Sequence, residues 1–395
     1  MLANRIGLGS HHKNLRNPPK ARGLLKRLWW VCILQDRVIA IATRKPLQFR
    51  EEDVMPLVTL EDFETQPVDA RIVSLRNSAF LKGPVIRQTL ARLCIEKIKV
   101  SLLIARILTW NYSPSSVSES LSHSVMLYSP NRHMSNQGEN IDLRRNLEEW
   151  QKNLPDDCVF TEPTTYARQW VLDDKVLFLH RAWLHVFSMM AFGLFYRALL
   201  SAETHPIHES HFSQHNLRQA VATVADETAR MAQLFCEQNL VQKLPPYATT
   251  FFISALPTFL VRIKSPTEAL CDNLRLQFRW CSEAIFQQRD IWPTADHAYT
   301  LVQAMVSRAK LRDSQGLIRE TFSTDPGSDS MFPNGELGPD LTAHGGTGMV
   351  LPVASPSMLN IVGPPRKNTT ERVGWLDFEA LFDQCFNSAE VYPAG

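Results

Sequence analysis

The chain has 395 residues, a formal net charge of +2 and 44% hydrophobic residues. This composition excludes a wholly disordered protein and allows a sizeable core. The seven cysteines lie far apart, include no CxxC pair and are odd in number, which argues against a disulfide framework and favours a reducing compartment.

Charge is distributed unevenly at the start of the chain. Residues 1–50 carry eleven Lys or Arg side chains against one acid, Asp36, whereas residues 51–69 carry seven acids and no base. A basic start is compatible with nucleic-acid binding, but a charged helix face preceded by a basic terminus is the simpler interpretation. We therefore predict a basic N-terminal segment over residues 1–20.

Helical periodicity dominates residues 21–315, which we predict to be one α-helical domain. Apolar residues of the segment 21–43 recur at helical steps, and this helix should stop before Pro46 because the residue preceding a proline avoids helical angles. The stripe predicted for this helix consists of Leu25, Leu28, Trp29, Cys32 and Ile39. Further helical patterns cover residues 84–110, 141–155, 166–200, 217–240, 247–263, 269–288 and 294–311. No stretch alternates apolar and polar residues convincingly, so the predicted fold class is an all-α, multi-helix array.

The most apolar run of the chain lies in one of these helices. Ala182 to Tyr196 spans 15 residues and contains His185. A membrane-spanning helix needs about 20 apolar residues. The run therefore predicts a buried helix, and we expect no membrane partner.

Three segments have a composition that does not favour a packed core. Residues 112–138 are rich in serine and predict a flexible insertion. Residues 316–372 are rich in Gly, Pro and Ser and predict a disordered linker. Residues 373–395 combine aromatic residues with acids, contain no Lys or Arg, and form an acidic–aromatic segment.

Catalytic and metal-binding motifs are absent from the sequence, and we predict that the protein is not an enzyme. No phosphate-binding loop, nucleophile elbow or HExxH motif occurs, so the chain offers no catalytic or cofactor-binding residue. Four histidines form a cluster, His205, His208, His211 and His215. The last three would share one face of a helix and suit zinc, but Pro206 lies within the cluster and an interhelical loop is favoured. His180 and His185 lie in an apolar helix and are expected to bond to neighbouring groups.

The C-terminal segment is the strongest candidate for contact with a partner. Its candidate binding residues fall on one helical face among carboxylates: Trp375, Phe378, Leu381 and Phe382. Such a pattern is typical of a segment that folds into a hydrophobic groove of another protein. Docking back onto the parent domain is the alternative, and the sequence leaves both open.

One stretch near the N-terminus carries a resemblance to a known family. Ile6-Gly7-Leu8 is followed by Lys26-Arg27-Leu28-Trp29-Trp30, then by Asp36-Arg37 and by Arg44-Lys45-Pro46. This order resembles the central regulatory region of fungal-specific zinc-cluster transcription factors, nearest to the cutinase-type factors. The helix of Trp150 and the segment that ends at Leu200 are also similar to later helices of the family.

The resemblance implies a nuclear transcription regulator that depends on RNA polymerase II. Its partners would be the transcription machinery or coactivator proteins, with a small-molecule effector as a further expectation. The six-cysteine zinc cluster of the family is absent from this sequence, so we expect no cofactor here, and DNA contact only through a missing cluster or a partner. The chain is therefore expected to be a truncated form. An α-helical ligand-binding or scaffolding protein is the alternative.

The resemblance also marks residues that we expect to be structural. They are Trp29, Trp30, Asp36, Arg37, Pro46 and Trp150. Successive residues of a helix point about 100° apart, so the two tryptophans can face different neighbours. Asp36 and Arg37 are expected to form a partly buried ion pair that fixes helix register. Arg44 stands where the family usually has glycine, so we expect the turn before Pro46 to differ.

Overall fold

The structure is a computed structural model, and it describes residues 18–49, 56–65, 83–120, 123–131, 137–162, 172–201, 213–264 and 268–309. The described residues form eight α-helices and one two-stranded hairpin, which confirms the all-α prediction. The predictions for residues 1–17, for the linker 316–372 and for the acidic–aromatic segment 373–395 lie outside the described residues.

The helices lie close to the predicted positions. Their bounds are α1 Pro19–Thr43, α2 Pro84–Asn111, α3 Gln137–Lys152, α4 Leu172–Ser201, α5 Gln214–Glu237, α6 Ala248–Lys264, α7 Glu268–Gln288 and α8 Pro293–Ala309. Both α1 and α2 begin with a proline, whose fixed backbone angle and missing N–H suit the first turn of a helix. Short 3₁₀ turns cover Leu60–Asp62, Asp156–Cys158 and Val241–Lys243.

An antiparallel hairpin follows α2 directly and differs from the expectation for this segment. Strand β1 runs over Tyr112–Ser120 and pairs with β2, His123–Pro130, with Tyr112 opposite Pro130. The expectation that the chain contains no strand is wrong here. Serine has little preference for strands and is typical of loops, so the composition of the segment concealed the pairing.

The large core is built mainly from α4, α5, α6 and α7, with α2, α3 and α8 packed around them. Phe195, Phe235, Phe252, Phe259 and Phe278 are among its fully buried side chains. The apolar run predicted to be buried lies in α4. Among the described helices, α4 is the one long and apolar enough to cross a membrane, but 61% of its most apolar window is buried inside the protein, as in a core helix.

A second, smaller group of buried residues lies beside α1. We call it the tryptophan cluster, and it consists of Trp29, Trp30, Ile33, Phe49, Val58 and Ile98. Its members come from α1, from α2 and from the α1–α2 connection, of which residues 44–49 and 56–65 are described. The predicted stripe is confirmed in part: Trp29 is buried and Leu25 and Cys32 pack against the cluster, whereas Leu28 and Ile39 are exposed.

Candidate functional site

The two adjacent tryptophans of α1 are both fully buried. The indole Nε1 of Trp30 donates a hydrogen bond to the carbonyl oxygen of Pro56 at 3.1 Å. The Trp29 ring meets the Phe49 ring edge to face, with centroids 5.3 Å apart. Two side chains that point about 100° apart can both be buried here because residues of α2 and of the α1–α2 connection pack against this part of α1.

Asp36 and Arg37 form an ion pair inside the protein. Arg37 Nη1 donates to Asp36 Oδ2 at 2.9 Å, and the two residues are 1% and 8% exposed, respectively. The Asp36 carboxylate also accepts the backbone N–H groups of Gln48, at 3.0 Å, and Phe49, at 3.3 Å. Sequence analysis expected a partly buried pair. The structure shows a second role for the Asp36 carboxylate, because its bonds to the Gln48 and Phe49 N–H groups hold the start of the α1–α2 connection against α1.

The end of α1 is joined to the hairpin. Arg44 has a φ of 55° and a ψ of 16°, the left-handed conformation that favours glycine. Its Nε and Nη2 both donate to the carbonyl oxygen of Tyr128, at 3.0 and 2.7 Å, and Tyr128 N donates to Arg44 O at 2.5 Å. Arg44 thus adopts the left-handed conformation that a glycine would favour. The expected difference from the turn of the family stays a prediction. Pro46 follows it, and its carbonyl oxygen accepts the Gln48 side-chain amide at 3.0 Å.

The acidic part of the α1–α2 connection lies along the basic first half of α1. Lys26 Nζ lies 2.7 Å from Asp62 Oδ2, and Arg27 Nη2 lies 3.7 Å from Glu64 Oε1. A Cβ at Gly23 would stand 2.9 Å from the Asp62 carbonyl oxygen, so only glycine permits this approach. The neighbouring basic and acidic runs of the sequence therefore pair with each other at these positions.

Trp150 lies apart from the tryptophan cluster. It is on α3, packs against the large core, and donates its indole N–H to Glu96 Oε2 at 2.9 Å. Lys99 Nζ bonds to the other oxygen of Glu96 at 2.8 Å. Glu96 is a buried carboxylate that sequence analysis did not single out. Nothing in the sequence marks Glu96 as special, because it is a single acid within an apolar helix and lies close to Trp150 only in the folded chain.

Two histidines bond to neighbouring helices, as predicted. Lys97 Nζ on α2 lies 3.2 Å from His180 Nδ1 on α4. Burial lowers the pKa of Lys97 to about 8, and burial together with the Lys97 charge lowers the pKa of His180 to about 4. His185 Nε2 lies 2.5 Å from Glu227 Oε1 on α5, and the His185 ring stacks on Phe160. These pairs cross helix interfaces and join α4 to its neighbours.

Metal ligands do not converge in the described part of the chain, where no group of three or more His, Cys, Asp or Glu residues is placed to hold an ion. His205, His208 and His211 of the predicted loop lie outside the described residues, and His215 lies in the first turn of α5. The candidate binding residues Trp375, Phe378, Leu381 and Phe382 also lie outside them. Among the described residues, the polar contacts given above hold helices and the α1–α2 connection in place.

Comparison with known proteins finds three fungal relatives. The chain is 25% identical to cutinase transcription factor 1 beta of Fusarium vanettenii over 78% of its length, and 23% identical to a transcription factor of Fusarium pseudograminearum over 72%. It is 26% identical to transcription factor cpaR of Aspergillus oryzae over 44%. These alignments cover 36%, 32% and 28% of the relatives, so the chain spans about a third of their length.

No family model and no solved structure matches the chain. The similarity to fungal transcription factors agrees with the resemblance found from the residues of α1. The relatives include a cutinase transcription factor, a type that those residues resemble.

Proposed function

We propose that this chain is a transcription regulator that acts through other macromolecules. The observation that carries the proposal is its similarity, over 72–78% of its length, to two fungal proteins named as transcription factors. The helical domain would receive a regulatory input from a partner protein or a small-molecule effector. The protein would act in the nucleus on transcription by RNA polymerase II.

The geometry of the described residues supports a role without catalysis. Asp36 and Glu96, the buried carboxylates of α1 and α2, bond to neighbouring side chains or to backbone groups. A catalytic group instead needs a lone pair or proton that is free to interact with a substrate. The proposal therefore includes no enzymatic activity and no cofactor in this chain. DNA would be reached through a zinc cluster outside this sequence or through a partner.

The acidic–aromatic segment would provide the output. Trp375, Phe378, Leu381 and Phe382 would enter a hydrophobic groove of a coactivator or of the transcription machinery. The surrounding carboxylates would keep the segment in solution and attract a basic rim.

A reporter assay tests this output. Residues 373–395 are fused to a neutral DNA-binding domain, and transcription is compared with that of the variant W375A/F378A. We expect at least a tenfold loss, because the two largest apolar anchors are removed. The matched control is N387A/S388A, two small polar positions of the same segment, which should leave transcription unchanged. Equal output from the wild-type and W375A/F378A segments would refute this role.

A further inference from the structure

A polar cluster lies where α2 packs against α1 and α4. We call it the lysine cluster, and it consists of Arg27 on α1, Cys94 and Lys97 on α2, and His180 on α4. Lys97 Nζ lies 3.2 Å from His180 Nδ1. Burial raises the pKa of the Cys94 thiol, and the charges of Lys97 and Arg27 oppose this rise, which places both cations near Cys94. All four residues are partly exposed, so a small molecule can reach them from solvent.

The Lys97 amine is not held in its charged form by an acid. In the described part of the chain it forms no ion pair, and its polar partner is the His180 imidazole. The neighbouring acid, Glu96, bonds instead to Trp150 and Lys99. Burial lowers the pKa of Lys97 to about 8, so roughly a tenth of the amines are uncharged at pH 7, against less than about 0.1% for an ordinary lysine. A desolvated lysine of this kind is suited to form an imine with a carbonyl compound.

His180 provides a neutral base beside this amine. Burial and the Lys97 charge lower the pKa of His180 to about 4, so the imidazole is uncharged near neutral pH. An ammonium group has donors only, so Nδ1 of His180 is the acceptor in this contact. The same lone pair can take up the proton that the Lys97 nitrogen releases when it attacks a carbonyl carbon, and can pass it to the carbonyl oxygen.

Arg27 adds a donor that is not used within the described residues. Its Nε is buried and has no acceptor there. Its Nη2 lies 3.7 Å from Glu64 Oε1, beyond hydrogen-bond distance, and its guanidinium carbon lies 5.6 Å from the centre of the Phe63 ring. A buried N–H without an acceptor is unfavourable, and a carboxylate is the group that a guanidinium binds best. The cluster therefore combines a carbonyl-reactive amine with a donor for an acid.

We propose that Lys97 is a covalent binding site for a small 2-oxo acid. The uncharged Lys97 nitrogen attacks the carbonyl carbon, a C–N bond forms, and the carbonyl oxygen leaves as water, so that an imine results without any oxidant or reductant. The carboxylate of the acid takes the unused donor of Arg27. Imine formation is reversible, so occupancy follows the concentration of the acid. In calling this acid an effector, the inference rests on the proposed function.

Reductive trapping on the full chain tests the site. The protein is treated with limiting glyoxylate and cyanoborohydride, which reduces an imine to a stable carboxymethyl-lysine, and labelled lysines are mapped by mass spectrometry. At pH 7 we expect Lys97 to be labelled at least about tenfold more than Lys152, an exposed lysine at the end of α3, because more of its amine is uncharged. Labelling of Lys97 should be half-maximal near pH 8.

The variant R27Q tests the recognition of the carboxylate. It should lower the labelling of Lys97 by glyoxylate at least about fivefold, because a charge-assisted bond is lost. Labelling by acetaldehyde, which carries no carboxylate, should stay unchanged in R27Q, and this shows that the structure around Lys97 is intact. The matched control R22Q removes an exposed arginine of α1 and should leave both reactions unchanged.

The outcomes decide the proposal separately from the function. Labelling of Lys97 that is no stronger than that of Lys152 would overturn the imine site. An R27Q variant that keeps full labelling by glyoxylate, or loses the glyoxylate and acetaldehyde reactions equally, would overturn the assignment to an oxo acid. The reporter fusion contains residues 373–395 and no Lys97, so its output measures the partner-binding role alone.

Discussion

The large core and the tryptophan cluster are held together by different interactions. In the large core, aromatic side chains pack on each other, as Trp183 does on Phe251 with ring centroids 4.9 Å apart. The tryptophan cluster is smaller and is closed by directed polar bonds: the Asp36–Arg37 pair, the Trp30 indole to Pro56, and Lys26 to Asp62.

This difference has a consequence for how each region tolerates change. Apolar burial is non-directional and is shared among many contacts, so a core of similar volume can be repacked at modest cost. A buried charge or indole N–H depends on one partner in one geometry. We therefore expect single polar substitutions to affect the tryptophan cluster more than conservative apolar substitutions affect the large core.

The largest expected effect comes from D36A. It removes the carboxylate that pairs with Arg37 and accepts the Gln48 and Phe49 N–H groups, so the free energy of unfolding should fall by about 3–5 kcal/mol. The measurement is urea unfolding followed by circular dichroism. As a control, E148A breaks an exposed ion pair with Arg144 and should cost less than about 1 kcal/mol. Equal losses in both variants would contradict the contrast between the regions.

The second-largest expected effect is a pH dependence of stability at the boundary between the two regions. There Lys97, which directly precedes Ile98 of the tryptophan cluster, contacts His180 of α4. The pKa of His180 is about 4 in the folded protein, below its ordinary value of 6.5. Between these values the unfolded chain binds the extra proton, so stability falls as pH falls through this window. Variant H180N keeps an acceptor for Lys97 but does not titrate. Between pH 6.5 and 4.5, wild type should lose on the order of 2 kcal/mol more than H180N in thermal unfolding. An equal loss of stability in wild type and H180N over this pH range would contradict the prediction.

The two tryptophans provide a smaller and internally matched test. Trp30 donates to Pro56 O, whereas Trp29 Nε1 is buried and has no acceptor among the residues described. W30F and W29F remove similar volume, but only W30F breaks a hydrogen bond. We expect W30F to destabilise by about 1 kcal/mol more than W29F in urea unfolding. If W29F instead lowers the free energy of unfolding more than W30F does, the hydrogen bond from Trp30 to Pro56 would matter less than the packing of the tryptophan rings.

The smallest effect is expected for R44G. Glycine relieves the cost of the left-handed backbone but loses the two bonds to Tyr128 O, so the terms should cancel to within about 0.5 kcal/mol. Thermal unfolding is the measurement, and R44A serves as the control. R44A loses the same bonds without gaining backbone freedom, so it should be less stable than R44G. The reverse order would show that the left-handed conformation carries no strain.

Local patterns predicted the helices well because each rests on its own periodicity. The end of α1 before Pro46 and the start of α2 at Pro84 follow from proline chemistry alone. The buried face of α1 was harder to predict. Leu28 and Ile39 share a helical face with other apolar residues, yet burial depends on which neighbours cover that face.

Contacts between distant residues could not be predicted from the sequence. Tyr128 bonds to Arg44 and Trp150 bonds to Glu96, across separations of 84 and 54 residues. Tyr128 and Glu96 belong to no motif, and each meets its partner only through the folding of the chain between them. The resemblance to a family identified Trp29, Trp30, Asp36 and Arg37 as residues of interest. The partners of these residues in the α1–α2 connection became visible only in the structure.

The bond from Arg44 to Tyr128 also constrains the order in which the molecule assembles. Closing a loop of 84 residues costs about 4 kcal/mol of chain entropy before any contact compensates it. Helix α2 occupies a third of that loop, so its formation shortens the search. During synthesis on the ribosome, the bond between Arg44 and Tyr128 can therefore form only after the hairpin has emerged. The two tryptophans can be covered earlier, because Phe49, Val58 and Ile98 precede the hairpin in the chain.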